Sequence, residues 1–138
     1  MFKKSLIVAT LAALAALGGI AIAQEVKASV SPSPIKRTII GKVEVPGANY
    51  EVITAIVEIA PSFKAGRHFH PGIVDFQVLD GEFWLARDGQ PEKTYKTGES
   101  YEIPMKAIHN EGSTGTVPAK LVVTYVVEKG QPLVQPVK

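Results

Sequence analysis

Two histidines separated by one residue, His68 and His70, form the most chemically suggestive spacing in this chain of 138 residues. In an extended backbone successive side chains alternate faces, so His68 and His70 point the same way and two imidazoles can reach one metal ion. They sit in the stretch Gly66-Arg67-His68-Phe69-His70-Pro71-Gly72-Ile73-Val74-Asp75-Phe76-Gln77-Val78-Leu79-Asp80-Gly81. The chain has three histidines, and the third, His109, lies in a second patterned stretch. No nucleophile motif accompanies them. Glu82, Glu99, Glu102 and Glu111 are available as acids or bases, but no spacing singles one out.

The elements that must hold these residues read as strands. Thr38–Val45, Tyr50–Ala60, Ile73–Leu79, Glu82–Arg87, Glu92–Tyr95, Ser100–Ile103 and Lys120–Glu128 are rich in Val, Ile, Tyr, Phe and Thr. No ten-residue window carries a sustained helical period. Pro46-Gly47, Pro71-Gly72, Asp80-Gly81, Asp88-Gly89 and Gly98 punctuate the runs. The two Asp-Gly pairs have the composition that hairpin turns with positive φ require. Many short strands without helices after the first segment predict an all-β sandwich or small barrel.

Met1 to Ala23 has the build of a secretory signal: Lys3 and Lys4, an apolar run from Leu6 to Ile22, and the small-x-small triplet Ala21-Ile22-Ala23. Retained, it would be a membrane anchor at the short edge of a spanning length. Cleavage before Gln24 would leave an exported, periplasmic or secreted protein with no membrane segment. It would remove two of the 15 basic residues and leave as many as the 13 acidic ones, so no electrostatic case for nucleic acid exists. With no cysteine the fold has no disulfide and stands on its core. Residues 24–37, with Ser29, Ser31, Pro32, Ser33 and Pro34, read as a linker, and 38–130 as one domain. The tail 131–138, with Pro132 and Pro136, reads as a loose arm or an edge strand against a partner.

The two patterned stretches together resemble the cupins, small double-sheet jelly rolls. The family's first motif has two His one residue apart, then a Glu, then six residues and a Gly. Here His68, His70, Pro71-Gly72 and Gly81 match. Its second motif has Gly, five residues, Pro, four residues, His, three residues and Asn. Gly98, Pro104 and His109 fall in register, and Ser113 stands where Asn is usual. The resemblance runs from about Gly66 to Ser113, and the family's ligand positions imply His68, His70 and His109 as metal ligands. Counting from Gly81, Val74 occupies the Glu position, and Val cannot donate to a metal. Asp75 could substitute only if a bulge turned it inward, and Gln77 shares its face in a regular strand.

Three imidazoles with open positions suit Fe, Mn, Zn, Ni or Cu better than Mg or Ca. What the resemblance implies is a small metal-binding cupin, possible as a dioxygenase-type or other metal-dependent enzyme on a small chelating substrate. A non-catalytic module holding a small ligand, with or without metal, stands beside it, as does a homodimer built on paired barrels and the apolar tail Leu133-Val134. Phe76, Phe83, Trp84 and Tyr101 read as core or pocket lining. Lys64, Arg67 and Lys106 flank the motif histidines and read as solvated charge or as contacts for an anionic substrate.

Overall fold

The computed structural model describes residues 33–138. The segment read as a signal, 1–23, and residues 24–32 of the linker lie outside the described residues. Ten strands follow: β1 (Ile35–Glu44), β2 (Tyr50–Ile59), β3 (His68–Phe69), β4 (Ile73–Asp80) and β5 (Glu82–Arg87), then β6 (Lys93–Lys96), β7 (Ser100–Ile103), β8 (His109–Ser113), β9 (Ala119–Glu128) and β10 (Gln135–Pro136). They form two antiparallel five-stranded sheets, β1-β2-β9-β4-β7 and β10-β3-β8-β5-β6. There is no helix among the described residues. This is the all-β double-sheet jelly roll that the strand pattern and the resemblance predict.

The first sheet is built on strict alternation. Ile53, Ala55, Val57 and Ile59 of β2 are buried while their neighbours are partly open, and Leu121, Val123, Tyr125 and Val127 of β9 repeat the pattern. The two strands pair without a break from Tyr50↔Glu128 to Ile59↔Ala119. A one-residue slip would turn every one of these side chains to the wrong face, so burial enforces the register. Val74, Phe76 and Val78 of β4 complete the row, and Phe83, Leu85 and Tyr95 meet it from the second sheet. Phe76 and Phe83 contact edge to face at 4.7 Å between centroids. Trp84 is buried on the other face of β5, with the Lys64 ammonium 5.8 Å from its ring centroid.

Several expectations need correcting. The first strand begins at Ile35, inside the stretch read as linker, because Ile35 pairs with Ile59 and packs against the core. Asp80-Gly81 does not close a hairpin: β4 and β5 belong to different sheets, and the pair makes the corner between them. Gly81 is required there, since its φ is +72° and a Cβ would lie 2.5 Å from the Pro118 carbonyl oxygen. Asp88-Gly89 does lie in a hairpin, the longer loop between β5 and β6. The tail is an edge strand of its own barrel: Gln135 pairs with Phe69 and Pro136 with His68, and the Val137 amide donates to the Arg67 carbonyl.

Candidate metal centre

Four donors converge on the inner face of β3 and β8. His68 and His109 are direct cross-strand partners, a position that brings Cβ atoms within about 5.5 Å. Two residues on from each partner lie His70, just past the end of β3, and Glu111 in β8. Ring centroids of the three imidazoles are 4.3 to 5.2 Å apart. His68 is 5% exposed, His70 3% and His109 0%.

Each imidazole is fixed by a backbone carbonyl. The Nδ1 atoms of His68, His70 and His109 lie 2.8, 2.7 and 2.8 Å from the carbonyl oxygens of Gly66, Leu133 and Ala107. A carbonyl only accepts, so each Nδ1 carries the proton and donates it, and each Nε2 keeps a free lone pair. The Nε2 of His109 is fully buried and has no hydrogen-bond partner. An orphaned buried nitrogen ordinarily costs about 1–3 kcal/mol. A position whose task is to donate to a cation explains it.

The fourth donor is Glu111, whose oxygens lie 3.7 Å from His68 Nε2 and 3.6 Å from His109 Nε2. Donors at the usual zinc bond lengths on a tetrahedral ion are about 3.4 Å apart. All four residues offer donor atoms within 4.8 Å of one another, so the set fits a divalent transition ion without rearrangement of the strands. Protonation agrees. Burial pushes His70 down to about 4 and holds His68 below its ordinary value. Burial works to raise the Glu111 carboxyl, but the attraction of the His109, His68 and His70 rings around it outweighs that and holds the group below the usual range. At neutral pH His68 and His70 are uncharged and Glu111 is ionised, the state metal binding needs.

The structure brings together His68, His70 and His109 and leaves the two substitute donors outside. Asp75 and Gln77 are exposed on β4, whose pairing with β9 is regular from Ile73 to Val78. No bulge turns Asp75 inward, and the Gln77 amide reaches toward the Gly98 carbonyl at 3.4 Å. Val74 is buried in the barrel wall. The carboxylate comes instead from the second patterned stretch, where His109-Asn110-Glu111 repeats the one-residue spacing of His68-Phe69-His70. That repetition was the sequence signal for Glu111.

A cavity of about 20 Å³ adjoins the centre, lined among others by Arg37, His70, Val74, Phe76, Glu111 and Tyr125. That is room for about one water molecule. A wider surface groove near Tyr50, Phe69 and Gln135, about 560 Å³, is lined by none of the four donors. Two of the basic residues singled out in the sequence are engaged elsewhere, Arg67 with Asp88 and Lys64 over Trp84, while the Lys106 backbone amide donates to the His70 carbonyl.

Comparison with known proteins supports the fold. The DMSP lyase DddQ from Ruegeria pomeroyi is 14% identical, with a TM-score of 0.61 over 75% of this chain and 51% of the lyase. The polyketide cyclase RemF from Streptomyces resistomycificus is 21% identical, with a TM-score of 0.60 over 77% and 72%. An oxalate oxidase solved with the substrate analogue glycolate is 23% identical, with a TM-score of 0.60 over 78% and 57%. The chain spans about half the length of the DMSP lyases it matches. No curated protein sequence matches it. Residues 55–125 match the family described as the cupin domain. That span runs from β2 through β9 and includes all four donors, and the chain belongs to the cupin superfamily.

Proposed function

We propose that this protein is an exported, metal-dependent cupin enzyme acting on a small chelating substrate. The observation that carries the reading is the common aim of the donors: three Nε2 lone pairs, each oriented by a carbonyl behind its ring, and one carboxylate facing the same point. The segment Met1–Ala23 supports export, and the glycolate-bound oxalate oxidase among the fold's relatives supports a small oxygen-rich ligand. When bound, an Fe, Mn, Zn, Ni or Cu ion supplies Lewis acidity or, for the redox-active ions, one-electron chemistry.

The chain's own residues do the rest. The carbonyls of Gly66, Ala107 and Leu133 hold the ring tautomers and orientations. Glu111 supplies one negative charge toward a divalent ion. Val74, Phe76 and Phe83 form an apolar wall that keeps bulk water from the inner side and strengthens electrostatic attraction there. Four protein donors leave up to two positions on a six-coordinate ion, enough for a bidentate substrate.

The test is metal analysis of protein purified without chelators. The expected result is about one equivalent of a transition metal per chain, with a melting temperature that falls on chelation and recovers on adding Fe(II), Mn(II) or Zn(II). Less than about a tenth of an equivalent, with no thermal shift on adding any of the three, would remove the basis of the reading. The tightness of the cavity favours a second reading, a non-catalytic module that holds metal and one small ligand. A metal-loaded protein that consumes none of a panel of small 2-hydroxy and 2-oxo acids, with or without O₂, would favour the module.

A further inference from the structure

Arg37 stands on β1, the edge strand of the first sheet, opposite the inward-facing Val57. Its side chain therefore points to the barrel interior from an exposed edge, and it lines the same cavity as His70 and Glu111. Its Nε donates to the Tyr125 hydroxyl at 3.1 Å. That bond uses one of the five N–H donors of the guanidinium and fixes the direction of the fork. Among the described residues no carboxylate lies within ion-pair distance of Arg37; Glu111 keeps company with the imidazoles instead. The Tyr125 oxygen accepts from Arg37, which leaves its own proton to donate, and its ring stands 5.7 Å from that of His70.

A guanidinium held in place by a phenol, with its remaining donors uncommitted beside a metal-ligand cluster, is built to receive an anion. Charge agrees with geometry. A divalent ion inside, the Glu111 carboxylate and the Arg37 guanidinium at the exposed mouth leave two positive charges uncompensated, and one or two negative charges on a ligand would offset them. The cavity has room for about one water molecule, so the carboxylate stays at the exposed Arg37 end and only its neighbouring oxygen enters. Resting on the metal reading above, we infer that Arg37 and Tyr125 form a carboxylate-recognition lip. It selects a small 2-hydroxy or 2-oxo carboxylate, held by the guanidinium fork at one end and open to the metal through its neighbouring oxygen.

The experiment uses the full-length protein loaded with Co(II), whose visible absorption reports changes in coordination. Glycolate, pyruvate and the neutral analogue glycolamide are titrated into wild type, Arg37→Gln and Arg37→Lys, with Co(II) affinity measured in parallel. Wild type is expected to bind glycolate or pyruvate more tightly than glycolamide. Arg37→Gln should weaken the carboxylates by about 10-fold or more, leave glycolamide unchanged and leave Co(II) affinity unchanged. Arg37→Lys should fall between, since an ammonium keeps the charge and loses the fork. Carboxylate binding that is absent in wild type, or equal in wild type and Arg37→Gln while Co(II) is bound, would overturn the lip alone. A wild type that takes up no Co(II) would overturn the metal reading, and the lip with it.

Discussion

The two sheets of this barrel divide the work unequally. The β1-β2-β9-β4-β7 sheet has three strands of ten residues, an unbroken β2–β9 ladder and an alternating buried row. The β10-β3-β8-β5-β6 sheet holds His68, His109 and Glu111, with His70 just past the end of β3, yet β3 and β10 are two residues long and β8 is five. Long strands can be enforced by side-chain burial alone. Short ones cannot, and the second sheet is held by backbone hydrogen bonds, close approaches and the surface that the first sheet offers. Gly112 shows the difference: a Cβ there would lie 2.0 Å from the Phe63 carbonyl oxygen, so β8 seats against that loop only because the residue after Glu111 has no side chain.

The contrast can be broken in order of expected size. His109→Ala removes a fully buried donor from the second sheet and should lower metal affinity at least about 100-fold by equilibrium dialysis, beyond the 10 to 100-fold typical of losing a supporting group. Ile53→Ala, in the first sheet and outside the cavity wall, should do the reverse: about 2–5 kcal/mol of stability lost in urea unfolding, with metal per folded chain unchanged. A metal loss in Ile53→Ala equal to that in His109→Ala would erase the division between scaffold and site.

Acid should act on the second sheet first. His70 is held at about 4 in the fold against 6.5 as its ordinary value, so between those pH values the unfolded chain binds more protons than the native one. Metal-free protein should therefore lose stability as pH falls from 6.5 toward 4, by up to about 3 kcal/mol from this group. Glu111, held low, loses its contribution in the same direction as pH falls through the carboxylate range. Thermal melts of the chelated protein across that range check the slope, and a flat profile would mean that His70 is not buried neutral.

A chain ending at Gln131 lacks the Leu133 carbonyl behind His70 and the whole of β10, and should bind metal about 10 to 100-fold more weakly while keeping its β-sheet circular dichroism. Asp75→Ala sits at the small end. It alters an exposed side chain on the outer face of β4 and should leave metal content unchanged; a loss matching that of Glu111→Ala would restore Asp75 as a donor.

The same contrast governs what was legible before the structure. Every long strand is visible as a β-branched or alternating run, because period-2 burial writes itself into residue types. β3, β8 and β10 are not: His-Phe and Gln-Pro are too short to show a period, and His-Asn-Glu-Gly-Ser contains no β-branched residue and no Phe, Tyr or Trp. The three histidines were found by motif spacing. Glu111 is not singled out by the motifs, because the family pattern places its acid at the position of Val74. Arg37 was hidden by distance: 88 residues separate it from Tyr125, and it lies in a stretch whose serines and prolines suggest a linker. The three carbonyls that orient the imidazoles leave no trace in sequence at all, since a backbone oxygen is the same at every residue.

The bond between His70 and Leu133 also bears on timing. The imidazole and its carbonyl are 63 residues apart. Until the segment carrying Leu133 and β10 folds back along β3, no carbonyl stands behind His70 and its ring is free to turn. The donor set is fully oriented only once this segment is in place, and the ion it captures is drawn from whichever compartment folding ends in.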